Sequence, residues 1–148
     1  MKNIYTTIYT KEQGRLDLNL EERNNFNKGI YHRDDGPAVS CYHEDGSVER
    51  EFYYINNKWH RTDGPAQVWY YKTGSVSSEH YYINNKRHRI DGPASIWYRK
   101  DKCIEREFYY INDKCYIKED YYDLINEMKS LPKSLRLVHE LWWVKELI

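Results

Sequence analysis

The sequence lacks long apolar runs. Nothing approaches the roughly 18 consecutive apolar residues of a membrane-spanning helix, the opening MKNIYTTIYTKEQ holds no apolar core of a secretory signal, and neither end carries a lipidation motif. A membrane partner is therefore not expected. Cysteine is scarce and odd in number, at Cys41, Cys103 and Cys115 with no Cys-x-x-Cys spacing, which argues against a disulfide framework and for a reduced, intracellular setting. Net charge is missing too: lysine plus arginine and aspartate plus glutamate each number 23. No global field draws such a chain to a polyanion, and nucleic acid is not expected as a partner. Catalytic signatures are also lacking, with no Gly-x-Ser-x-Gly, no cysteine in a nucleophile motif and no glycine-rich phosphate loop. The sequence points away from an enzyme, and no cofactor is expected.

What is present is aromatic. Sixteen tyrosines, five tryptophans and three phenylalanines stand in 148 residues, yet the mean hydropathy is −0.99. Tyrosine suits that combination, since its ring packs while its hydroxyl stays wet. The length is that of one ordinary domain able to bury a core.

Self-alignment shows the organisation. HRDDGPA (His32 to Ala38), HRTDGPA (His60 to Ala66) and HRIDGPA (His88 to Ala94) recur at a period of 28 residues, and FYYINNKW, HYYINNKR and FYYINDKC (Phe52, His80 and Phe108 onward) recur in the same register. The chain divides into an N-terminal degenerate unit or cap (1–31), three repeats (32–59, 60–87, 88–115) and a C-terminal helical cap (116–148). Each Asp-Gly-Pro step predicts a turn. In the second repeat a strand follows at Ala66 to Tyr71, then a turn at Lys72 to Ser75 and a return strand from Val76 to Ile83.

Period-two geometry sorts the columns. One face of the first strand carries Ala38/Ala66/Ala94, Ser40/Val68/Ile96 and Tyr42/Tyr70/Tyr98, and is expected to be buried. The other carries Val39/Gln67/Ser95, Cys41/Trp69/Trp97 and His43/Tyr71/Arg99, and is expected to face solvent or ligand. The return strands are clean on neither face. The fold class expected is mainly β: a single-layer twisted antiparallel sheet of tandem hairpins with a C-terminal helical cap. Tyr121, Leu124, Ile125 and Met128 fall on one helical face, Leu131-Pro132 ends that helix, and Ser134 caps a second one carrying Leu137, Val138, Leu141, Val144 and Ile148. At the other end Phe26 to Tyr31 resembles the close of a repeat.

The pattern His-Arg-x-Asp-Gly-Pro-Ala, a hairpin, then Tyr-Ile-Asn-x-Lys, over residues 32 to 115, resembles the MORN-like tandem repeats abundant in giant DNA viruses of amoebae and also found in phages and bacteria. The resemblance implies interaction roles and no shared reaction. It makes a host or virion protein the implied partner, met in the host cytoplasm or the virion. The units depart from true MORN repeats in length and lack their Tyr-x-Gly opening, so lipid binding transfers poorly.

His32, His60 and His88 each precede an aspartate by three residues. Equivalent residues one repeat apart are separated by two strand spacings, about 10 Å, too far to ligate one ion. No metal site is expected. The aspartates are expected to cap turn N–H groups, the histidines to bond a neighbouring unit, and Arg50, Arg106 and the nearby glutamates to pair across strands. Exposed aromatic and arginine groups are what binding hot spots favour, so Trp69, Tyr71, Trp97 and Arg99 on the variable face are the candidate partner-binding residues. The function expected is non-catalytic protein–protein interaction. Ligand sequestration and membrane-surface association stand as alternatives, and self-association through a sheet edge or the C-terminal helix stays open.

Overall fold

A computed structural model describes residues 6–19, 21–22, 29–133 and 135. The second predicted helix and the segment Phe26 to Lys28 lie outside these residues. The described chain runs β1 (Thr6–Thr10), β2 (Gly14–Leu18), β3 (Val39–Tyr42), β4 (Val48–Phe52), β5 (Tyr54–Ile55), β6 (Lys58–Trp59), β7 (Gln67–Tyr70), β8 (Val76–His80), β9 (Tyr82–Ile83), β10 (Lys86–Arg87), β11 (Ser95–Tyr98), β12 (Ile104–Ile111), β13 (Lys114–Tyr116) and α1 (Lys118–Ser130). Nine strands form one antiparallel sheet in the order β2-β1-β3-β4-β7-β8-β11-β12-β13. The sheet is not closed, and the fold is mainly β with a C-terminal helix.

Each repeat supplies a main hairpin with the same bulge, at Cys41/Tyr42, Trp69/Tyr70 and Trp97/Tyr98. The tips of the first two hairpins place Gly46 and Gly74 at φ of 84° and 82°, and the third places Lys102 there at 68°. Only glycine meets that backbone without strain.

The return strand is not continuous as expected. Val76 to Ile83 breaks at Tyr81, whose N–H leaves the ladder for the Ala94 carbonyl of the next repeat, as Tyr53 N–H goes to Ala66. The chain then makes a second, minute hairpin, β5/β6 or β9/β10, so the first two repeats carry four strand segments where two were expected; in the third, β12 runs unbroken to Ile111 and pairs directly with β13. The tips of these ribbons, Asn56-Asn57, Asn84-Asn85 and Asn112-Asp113, all have positive φ, the pattern of a type I′ turn that asparagine tolerates. The paired asparagines were the sequence signal for this ribbon.

Adjacent repeats interlock through those tips. Asn85 donates its N–H to the Trp59 carbonyl and accepts the Trp59 N–H on Oδ1 at 2.8 Å; Asn57 does the same to Tyr31, and Asp113 to Arg87. Arg61 and Arg89 lie 4.0 Å over the Tyr53 and Tyr81 rings of the preceding repeat. Each guanidinium also donates to the aspartate two residues on, Arg61 Nε to Asp63 at 2.8 Å and Arg89 Nε to Asp91 at 2.6 Å, and the Arg61 contact holds the Asp63 carboxyl below its ordinary pKa. The aspartate thus serves the arginine first, with a smaller contribution from its own backbone N–H. A Cβ on Gly64 would sit 2.9 Å from the Arg61 guanidinium carbon, so this glycine is needed for close approach and not for an unusual φ. The histidines bond within their own repeat, His60 to Asn84 at 2.8 Å and His88 to Asn112 at 3.0 Å.

Both ends imitate a repeat. In β1, Thr6, Thr7 and Ile8 pair with β3 as Arg50, Glu51 and Phe52 pair with β7, and Tyr9 carries Arg33 over its ring at 4.0 Å. At the other end α1 packs Tyr121, Ile125 and Met128 on Tyr109 and Ile111. Leu131 is extended, as the residue before Pro132 must be.

Candidate functional site

Cross-strand pairing fixes which side chains share a face. One face reads Thr6, Cys41, Arg50, Trp69, Ser78, Trp97, Arg106 along one row and Ile8, Val39, Phe52, Gln67, His80, Ser95, Phe108 along the next. The opposite face carries Thr7, Ser40, Glu51, Val68, Glu79, Ile96 and Glu107.

On that opposite face the alanine column and Val68/Ile96 are buried as expected. The glutamates beside them accept tyrosine hydroxyls from the next repeat, Tyr70 to Glu51 at 2.9 Å and Tyr98 to Glu79 at 2.8 Å. Burial and these carboxylates raise both phenol pKa values. Arg50 lies 4.9 Å over the Trp69 ring and beside Phe52. Glu51 and Glu79 thus serve tyrosines, and Arg50 serves an aromatic face with Glu49, its neighbour on the same strand, 3.9 Å away, while Glu107 pairs with Lys118 of α1 at 2.7 Å.

The tryptophan face is exposed at its C-terminal edge. Thr6, Ile8 and Cys41 are buried at its N-terminal end, Ser78 and Ser95 are buried beside the half-buried tryptophans, and Phe108 is 41% exposed with Arg106 exposed at the far edge. Trp69 and Trp97 flank Ser78, which is their common cross-strand partner, and Trp97 packs edge-on to His80 at 4.8 Å and Phe108 at 5.7 Å. Tyr82 and Arg87 of the ribbon wall the same space, a cleft of about 460 Å³. Helix α1 packs on Tyr109 and Ile111, which share the glutamate face, and leaves this cleft uncovered.

The structure brings Trp69 and Trp97 together and places Tyr71 and Arg99 at the hairpin-tip end. Tyr71 donates its hydroxyl to the Tyr98 carbonyl at 2.6 Å, a tie between repeats; Arg99 is exposed beside a turn closed by its N–H to Cys103. Reading the first strands alone missed His80, Ser78 and Arg87. Their signal was present in the repeat columns, where each departs from its neighbours.

His80 is the perturbed group of the site. Burial, with Arg87 nearby, lowers its pKa to about 4, so the ring is neutral at physiological pH. Its Nδ1 is buried without a hydrogen-bond partner, as is Oγ of Ser95, the residue across the strand.

No family model, curated protein or solved structure matches this chain. Among the described residues no three histidine, cysteine or carboxylate side chains are grouped to hold a metal ion, and no helix is long and apolar enough to cross a membrane.

Proposed function

We propose that the chain is a non-catalytic binding module that engages a partner protein through the tryptophan face of its second and third repeats. One observation carries this reading: Trp69 and Trp97 flank an open cleft on the face that α1 leaves uncovered, with Phe108 and Arg106 exposed beside it. Partly buried aromatics next to arginines form the core of protein-binding hot spots. Tyr71 and Arg99 extend the same proposed surface toward the hairpin tips. The resemblance to MORN-like repeats, resting on the HRxDGPA columns, supports an interaction role and a host or virion protein as the partner class.

The test is affinity capture with the full chain and with Trp97→Ala and Trp69→Ala variants of known melting temperature. A protein retained by the parent and lost by folded Trp97→Ala supports the reading. Equal retention by both refutes it. Binding to anionic vesicles that survives Trp97→Ala would favour membrane-surface association in its place.

A further inference from the structure

Three departures from the repeat pattern meet in one place. Ser77, Ser78 and His80 stand where both neighbouring repeats have glutamate, arginine and phenylalanine (Glu49, Arg50, Phe52; Glu105, Arg106, Phe108). A fourth variable position, Arg87, stands where the first repeat has Trp59 and the third Cys115. All four line the cleft between Trp69 and Trp97.

Their combined effect is physical. In the first repeat Arg50 fills the equivalent slot, with its guanidinium on the Trp69 ring and Glu49 3.9 Å away. Serine at 77 and 78 removes both groups and leaves the floor between the two indoles open. Arg87 then adds a cation to the wall, resting on the Tyr82 and Tyr110 rings, with no carboxylate in ion-pair range among the described residues. Arg50 and Arg106 stand on the outer sides of the two tryptophans. The cleft therefore offers apolar walls, a positive rim and the ring of a neutral His80 in its lining.

We propose that this cleft is a recognition slot for an acidic segment of the partner protein, one that seats an aromatic side chain over Ser78 and an adjacent carboxylate on Arg87. The walls supply the apolar contact, while a charge-assisted bond to a guanidinium fixes orientation. This rests on the reading of the tryptophan face as the binding surface and adds the chemistry of what enters it.

The test uses the full chain and three capped five-residue peptides with a central phenylalanine, flanked by aspartate and glutamate, by lysine, or by asparagine and glutamine. Indole N–H signals of Trp69 and Trp97 are followed by NMR. The acidic peptide is expected to shift both, at least tenfold more tightly than the other two. Ser78→Arg restores the residue that both neighbours carry, so the fold accommodates it, and Arg87→Trp restores the residue at Trp59. Each is expected to weaken the acidic peptide at least tenfold while melting is kept. Equal binding of the uncharged or basic peptide, no shift at millimolar acidic peptide, or no effect of Ser78→Arg would overturn the slot. If partner capture were still lost in Trp97→Ala, the face would stand without it; if capture survived as well, both readings would fall.

Discussion

Tyr121 of α1 lies on Tyr109 with ring centroids 4.7 Å apart, in the place where Arg61 covers Tyr53 and Arg89 covers Tyr81. Its hydroxyl accepts the Gly92 N–H and donates to the Arg89 carbonyl, both at 3.1 Å. A residue outside the repeats thus fills the position that a fourth repeat would fill, and burial raises its phenol pKa to about 12.

Replacing Tyr121 with alanine is expected to cost about 3–5 kcal/mol, the range for deleting a buried aromatic. Tyr121→Phe keeps the ring but leaves the buried Gly92 N–H without its acceptor, at about 1–3 kcal/mol. Urea denaturation of the two variants checks both values; a Tyr121→Ala loss under 1 kcal/mol would remove the capping role.

Gly64→Ala should destabilise by about 1–3 kcal/mol, because its Cβ meets the Arg61 guanidinium at 2.9 Å. The clash and the stacking share one partner, so Gly64→Ala with Arg61→Ala should cost less than the sum of the two single changes. Additive losses would show that the glycine is needed for another reason.

Lys102 occupies the tip position that is glycine in the other two hairpins, at a φ of 68°. Lys102→Gly is expected to stabilise the chain by about 1 kcal/mol by releasing left-handed strain. A lower melting temperature would contradict this.

Stability should fall as pH drops from 6.5 toward 4. His80 has a folded pKa of about 4 against an ordinary value near 6.5, so the unfolded chain takes up a proton in that window while the folded chain does not. His80's contribution is complete above pH 6.5 and is lost as pH falls through the folded value, by about 1–2 kcal/mol once its partial exposure is allowed for. Burial shifts His88 in the same direction. Between pH 6.5 and about 5, denaturation midpoints should flatten in His80→Phe to the slope that His88 leaves, before the lowered carboxyls of Asp35, Asp45, Asp63, Asp101 and Glu107 add their own loss at lower pH; an unchanged profile would place the proton elsewhere.

The period, the hairpins, the Tyr121 helix and the alanine column were legible in the sequence because each depends on local pattern. The 28-residue recurrence set the register, and period-two geometry separated Val68 from Trp69. What was not legible depends on contacts between repeats. The roles of Arg61 and Asp63 could not be read without knowing that the guanidinium lies on Tyr53. The break at Tyr81 depends on the Ala94 carbonyl of the next repeat accepting its N–H. At the candidate site the two tryptophans were named from their strand face. His80 and Ser78 lie on a strand whose faces are both mixed, and periodicity there gives no inward side to stand out against.

The cap made by Tyr121 separates how the array stops from how long it is. The junctions between repeats share the arginine-on-tyrosine stack, the ribbon-tip bond and the tyrosine–glutamate bond, so a copied unit of 28 residues inserted before His88 would find these contacts on both sides. Each such duplication would extend the sheet by two strand spacings, about 10 Å, with neither terminus redesigned. The repeat is thus a fixed step: copying it would change the length of the sheet, while point substitution within one step, as at Ser78, His80 and Arg87, changes the lining of that step alone.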